Sequence, residues 1–426
     1  MNQLLTVAFG VLFFLAIMGC VALHEIGHMV PAKLFGVKVP KYFVGFGKTL
    51  WSTTRGETEY GLKVFPLGGF VQLLGMYPPR RPDARNTRLQ RLADDAREAE
   101  WYDITDADAG RLFYERATWK KVVMMAGGIT MNLVIAFVLL WGVVGLHGVL
   151  RYQPVVAGIS ACIQNPPRAD RTCVATDTPT PAALAGLAAG DRIVEFNGVA
   201  VTSHDQLTSL IRANLDREAS IVVDRGGVRT PLAPVHTLVT SVTDPLNPGG
   251  TVQAGYLGFY PVSALTKGGP VDVLGDMGAM TQQSLVALAQ LPVKTFNVVA
   301  DMVGGKPRDP NGPISVVGAS AVAGEIATSD FSLSDKAATF AGLLASVNLF
   351  LAIFNLVPLP PLDGGHILGA LFEAARRGLA KLRGKADPGP ADTAKMLPVA
   401  YLVGGLVLVM GVVLIVADII SPVKIF

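Results

Sequence analysis

His24, Glu25 and His28 form a His-Glu-x-x-His pattern. On a helix the two imidazoles fall at i and i+4, one above the other on a single face, with a carboxylate beside them. Two neutral imidazoles are good ligands for zinc, and the neighbouring carboxylate can take a proton from water, as metal-dependent hydrolysis requires. The pattern ends an apolar run, Leu4–Leu23, that has no charged side chain. Each ionisable group near a bilayer centre costs about 2.5–3.5 kcal/mol on insertion scales. Three of them within five positions therefore need a reason beyond packing, although a lone His in an apolar helix is usually structural.

Two imidazoles leave a zinc site incomplete, since a catalytic site takes three protein ligands and an open position. The best candidate for the third lies far along the chain, in Asn355-Leu356-Val357-Pro358-Leu359-Pro360-Pro361-Leu362-Asp363-Gly364-Gly365-His366. The prolines must end a helix near Val357, because residues before proline avoid the helical region. Gly364 and Gly365 let the chain turn again. An acid at membrane depth between a broken helix and a glycine turn needs a partner, which favours Asp363 as the ligand. The plain alternative is a turn aspartate ahead of two glycines. His366 competes as a ligand and ranks below Asp363.

The elements that carry these residues follow from composition. Half the residues are hydrophobic and 16% are charged, and the mean hydropathy is +0.43. That is the balance of a membrane protein with some aqueous mass. A net charge of +3 without a basic-aromatic patch gives no case for nucleic acid. Four segments clear the roughly 20 residues that a bilayer core requires: Leu4–Val30, Val122–Leu150, Ala337–Val357 and Met396–Ile420. The first lacks a basic n-region and a cleavage site, so it is not read as a signal peptide. Basic residues cluster from Arg80 to Lys121 and from Arg376 to Lys385, which makes both loops cytoplasmic and the N-terminus external. Spans one and three then deliver His24, His28 and Asp363 to one side. That parity fails if Ser284–Val303 also spans. Pro292, Lys294 and Asp301 argue against it, and the stretch reads as an amphipathic helix on the outer surface.

Together these motifs resemble the site-2 protease family of intramembrane zinc metalloproteases, in particular the bacterial regulator-of-sigma-E protease branch. The resemblance covers nearly the whole chain. It implies one zinc ion bound by His24, His28 and Asp363, Glu25 as general base, and Asn355 orienting the substrate backbone. It also implies residence in a bacterial plasma membrane, with the active site near the cytoplasmic side.

Between the first two spans, Gly45-Phe46-Gly47 and Thr58–Leu73 carry β-branched and aromatic residues punctuated by glycine and proline, a strand-and-hairpin composition. In the resembled family this region is a re-entrant β-hairpin with an edge strand, and Pro66–Val71 matches its signature, placing Gly68, Gly69 and Phe70 against substrate. An ordinary small cytoplasmic sheet is the alternative. The Arg- and Asp-rich stretch Pro78–Gly110 reads as a solvated loop, partly disordered or helical, without chemistry. Asn132 and Asn348 either line the site or bond a neighbouring helix.

The exported segment, about Gln153–Val262, reads as a short helix, strand, Asn-Gly turn, second helix over His204–Arg212 and strand Ser220–Asp224. It resembles a single bacterial PDZ domain, not a tandem pair, which would bind peptide termini by strand addition. Cys162 and Cys173 fall within it, where a disulfide is plausible, and Cys20 packs in the first span.

The expected fold is thus a polytopic α-helical membrane protein with four transmembrane helices, a membrane-associated β-hairpin or sheet, and an extracytoplasmic α+β PDZ domain. Its divisions are 1–32, 33–117, 118–150, 151–265, 266–334, 335–366, 367–395 and 396–421. The expected activity is zinc-dependent cleavage within the spanning segments of single-span proteins first shortened by a site-1 protease. The resemblance suggests anti-sigma factors as substrates, with remnant signal peptides as another class. A non-catalytic PDZ scaffold in the bilayer is the alternative. Zinc transport is disfavoured because Glu25 has no role in it.

Overall fold

The computed structural model describes residues 2–80, 87–101, 104–163, 172–174, 176–243, 250–310 and 312–423. Its helices are α1 (Asn2–Leu34), α2 (Arg88–Trp101), α3 (Thr118–Gly142), α4 (Pro181–Ala185), α5 (His204–Asn214), α6 (Pro270–Val303), α7 (Val316–Thr328), α8 (Leu333–Leu356), α9 (Asp363–Leu382) and α10 (Leu397–Ile420). The chain forms two compact units: Gly148–Lys267, and the rest.

In the larger unit, α3 packs against α1, α6, α8 and α9. Small residues permit the tightest approach. A Cβ on Gly27 would strike the Gly127 carbonyl, and one on Gly127 would strike that of Gly27, so α1 and α3 meet backbone to backbone. Farther along α1, Phe13, Ile17 and Cys20 pack with Ala319 and Ala323 of α7 and Leu344 of α8. Helix α8 stops at Leu356, two residues before Pro358, and α9 starts on Asp363.

Polar contacts tie these helices to one another. His147 Nε2, just beyond α3, lies 2.8 Å from Asp335 Oδ1 at the start of α8. Near the end of α10, Asp418 accepts from the Ser315 amide at 2.6 Å and pairs with Arg308. Among the described residues, five helices are long and apolar enough to cross a membrane: α1, α3 with its following turn, α6, α8 and α10. The addition to the expected four is α6. It runs continuously from Pro270, so 14 residues read as linker are helical, and Pro292 lies inside the helix. Helix α6 begins beside the end of α3, where the Gly268 amide donates to Val144 O at 3.1 Å. It finishes with Val298 packed on Leu414 and Ala417 of α10. Between these contacts, Met277, Met280 and Leu288 pack on Ala136 of α3 and on Leu349 and Ile353 of α8.

Two 15-residue strands, β1 (Lys41–Arg55) and β2 (Thr58–Gln72), form an antiparallel pair. Their register folds back on itself, because Lys41–Val44 pairs with Glu59–Leu62 on one side and with Gly69–Gln72 on the other. The lateral order is 49–55, 58–63, 41–44, 69–72. Gly69–Gln72 is therefore an edge, with no further strand on it among the described residues. Gly68, at φ 115°, makes the bend that starts this edge.

Part of the loop read as solvated is ordered. Helix α2 is anchored by Arg97, which donates to Pro78 O at 2.9 Å and pairs with Asp392. Residues 81–86 of the basic cluster lie outside the described residues. Lys121, counted as a loop charge, is buried in the first turn of α3.

In Gly148–Lys267, a sheet runs in the order Val228–Pro231, Ile221–Arg225, Arg192–Phe196, Val149–Ile159, Phe259–Thr266. Arg192–Phe196 turns back through Asn197 and Gly198, both at positive φ, as a tight Asn-Gly hairpin prefers. Ile193, Phe196, Leu207, Ile221 and Leu257 form the core. Cys162 and Cys173 are disulfide-bonded, and Cys20 is free and buried.

Asp191, 1% exposed, meets the half-exposed Arg225 through two contacts of 2.7 Å and accepts the Ala188 amide at 2.8 Å. The guanidinium holds the Asp191 carboxyl below the usual carboxylate range. Its contribution is therefore complete above an unfolded-state pKa of about 3.9 and is lost as pH falls through the lower folded-state value. Asp191→Asn is expected to cost about 1–2 kcal/mol near neutral pH, the exposed arginine limiting the loss. Urea unfolding of the 148–267 segment at pH 7 and pH 3 measures this, and the difference between the two proteins should narrow at pH 3.

Candidate metal centre

His24, Glu25 and His28 lie within five positions near the end of α1, and Asp363 opens α9. Long-range packing brings them together. Asp363 Oδ2 lies 3.4 Å from His24 Nε2 and 3.3 Å from His28 Nε2, and the two Nε2 atoms are 3.1 Å apart. A tetrahedral zinc with ligand distances of about 2.0–2.2 Å sets its donors about 3.3 Å apart. The Asp363 Oδ2 and His24 Nδ1 atoms are buried without a hydrogen-bond partner. A buried carboxylate oxygen left so costs free energy unless a cation completes it. Donor types, spacing and the orphaned oxygen all suit a divalent ion.

The surroundings fix ring orientation. His28 Nδ1 donates to the Met124 carbonyl of α3 at 2.8 Å, which leaves the Nε2 lone pair directed towards Asp363. Gly128 lies against both imidazoles, where a Cβ would collide with His28 Nε2 and come within 2.7 Å of His24 Nε2. Neither Met124 nor the Gly127-Gly128 pair was singled out in the sequence for this role. Two adjacent glycines in an apolar helix were the available signal, since small residues mark close helix contacts.

Beside the trio opens a cleft of about 710 Å³ whose walls include Glu25, Asn132, Asn355 and His366. Gly68, Gly69 and Phe70 of β2 form part of the same wall. A Cβ on Gly69 would sit 3.2 Å from Glu25 Cγ, so the edge strand passes directly over the carboxylate. Asn132 is buried, with its Oδ1 unpartnered at the cleft. Asn348 is placed elsewhere; it is buried and its amide donates to Leu344 O of its own helix at 2.8 Å. His366 lines the cleft but is outside the cluster of three donors.

The description "Peptidase family M50" matches residues 12–386. The chain belongs to peptidase family M50. The match takes in both halves of the donor cluster. The chain is 39% identical over 433 residues to proteins named zinc metalloprotease Rip1 from Mycobacterium tuberculosis and Mycobacterium bovis, with 98% of each chain covered. The Rip1 of Mycolicibacterium smegmatis is 34% identical over 428 residues, again with 98% of each covered. With its long apolar helices, this M50 peptidase is a membrane metalloprotease.

Proposed function

We propose that this M50 peptidase is a zinc-dependent endopeptidase that cuts single-span membrane proteins within their spanning segments. The observation that carries the reading is the convergence of His24 Nε2, His28 Nε2 and Asp363 Oδ2 inside an apolar helix bundle, with Glu25 on the adjoining cleft wall. The name of the relatives supports zinc as the ion. When bound by these three donors, zinc supplies a Lewis acid that acidifies water and polarises a carbonyl. Glu25 accepts the proton of the attacking water and returns it to the leaving amine nitrogen. Asn355 and Asn132 hold the substrate backbone by their amides. The free edge of Gly69–Gln72 takes the substrate as an added strand, which opens its helix and exposes the scissile bond.

In this reading α1, α3, α8 and α10 cross the bilayer, and α6 packs along α3, α8 and α10 without crossing it. The basic clusters support a metal end at the cytoplasmic face of a bacterial plasma membrane. The N-terminus and the segment between α3 and α6 are then extracytoplasmic. That segment acts as a PDZ module, with Phe259–Thr266 at its sheet edge receiving a peptide terminus. Substrates arrive after a first cut by another protease, anti-sigma factors and remnant signal peptides being the classes that the resemblance suggests.

The test is cleavage of a tagged single-span protein by the purified full chain in detergent, with products mapped by mass spectrometry. Cutting inside the span is expected, together with complete loss under a zinc chelator and recovery on adding zinc. Cleavage that ignores the chelator, or that falls only outside the span, would sink the proposal.

A further inference from the structure

Behind the donor cluster lies a second set of buried charges that hydrolysis does not use. Lys121 of α3 and Glu373 of α9 are each 3% exposed. Lys121 Nζ donates to both Glu373 carboxylate oxygens at 3.0 Å. The Ala391 amide donates to Oε2 at 3.0 Å, and Arg377 approaches Oε1 at 3.5 Å. Desolvating two charges offsets most of their attraction, so such a pair is weak evidence for stability and is better explained by the register it imposes.

The register concerned is that of the metal donors. Met124, three residues after Lys121 and so on the same face of α3, accepts the hydrogen bond that orients His28. Glu373 sits on the helix whose first residue is Asp363. One turn of α3 therefore holds the imidazole half of the cluster directly and the carboxylate half through Glu373.

We infer that Lys121 and Glu373 are positioning residues for the metal centre, fixing α9 against α3 so that Asp363 meets the two imidazoles. Ten helical residues span about 15 Å, so a tilt of about 5° at Glu373 displaces Asp363 by about 1 Å. Functional sites tolerate only about 0.5 Å. The inference rests on the reading of His24, His28 and Asp363 as the zinc ligands.

Zinc affinity decides it, measured on the full-length protein in detergent by competition with a chromophoric chelator. Cleavage is followed with and without excess zinc. Glu373→Gln is expected to bind zinc about 10–100-fold more weakly than wild type, with excess zinc restoring most of the cleavage. Should Glu373→Gln fail to fold, Glu373→Asp keeps the charge and withdraws the carboxylate by one methylene. It is expected to lose about tenfold in affinity. A variant that folds and binds zinc within about twofold of wild type overturns the inference. A wild-type protein without zinc affinity, or His28→Ala binding as tightly as wild type, would instead overturn the underlying metal-site reading.

Discussion

Glu25→Gln is expected to keep its zinc and lose its reaction, with cleavage falling by about 10²- to 10⁴-fold, the usual worth of a positioned general base. Glutamine has nearly the shape of glutamate but cannot accept a proton, so binding and proton transfer separate cleanly. Glu25 lines the cleft without belonging to the donor cluster, and its removal therefore leaves three ligands in place. The edge strand passing over it at Gly69 limits where the carboxylate can go, which makes a compensating shift by a water molecule a poor substitute. Metal content by elemental analysis beside product mapping gives both readouts on one sample. If zinc and activity vanish together, Glu25 holds the ion and does not move the proton.

Gly128→Ala should be nearly as damaging while replacing no donor residue. One added methyl would collide with His28 Nε2 and lie 2.6 Å from His24 Cε1. Protein interiors are packed too closely to absorb such an overlap without moving something. The rings are what can move, by about 1 Å, twice what a functional site tolerates. We expect zinc affinity to fall by about 100-fold, the upper end of losses seen when supporting groups around a metal are altered. Gly142→Ala, in the same helix, is the control: a Cβ there has nothing within 4 Å, and its affinity should stay at the wild-type value. Equal behaviour of the two variants would show that Gly128 merely lies near the rings.

How much of this was legible differs by residue. The His24–His28 spacing and the prolines after Val357 speak locally, since helix period and proline sterics act within a few residues of the chain. The meeting of Asp363 with the imidazoles could be argued from the parity of the spans alone. Helix α6 was legible only over Ser284–Val303; the stretch before it, with Gly275 and Gly278 among its polar residues, reads as linker although it is helical, and Pro292, which argued against a span, lies inside the helix. Helix α2 was legible only as an alternative, since its charge-rich composition suits both a solvated loop and an amphipathic helix, and its Arg97–Asp392 anchor left no local signal. Lys121 counted correctly as a basic residue and gave no hint of Glu373, which lies 252 residues away. Close glycine contacts and buried ion pairs depend on which faces come together, and no sequence period encodes that.

The donors that converge at the cleft stand at opposite ends of the chain, with more than three hundred residues between His28 and Asp363. At synthesis rates of about 5–20 residues per second, on the order of half a minute separates their emergence. Throughout that interval the nascent chain holds two imidazoles but no complete ligand set. On the proposed reading, a hydrolase embedded beside other newly inserted spans is thereby kept inert until α9 has been made. Products truncated before α9 carry no working protease into the membrane.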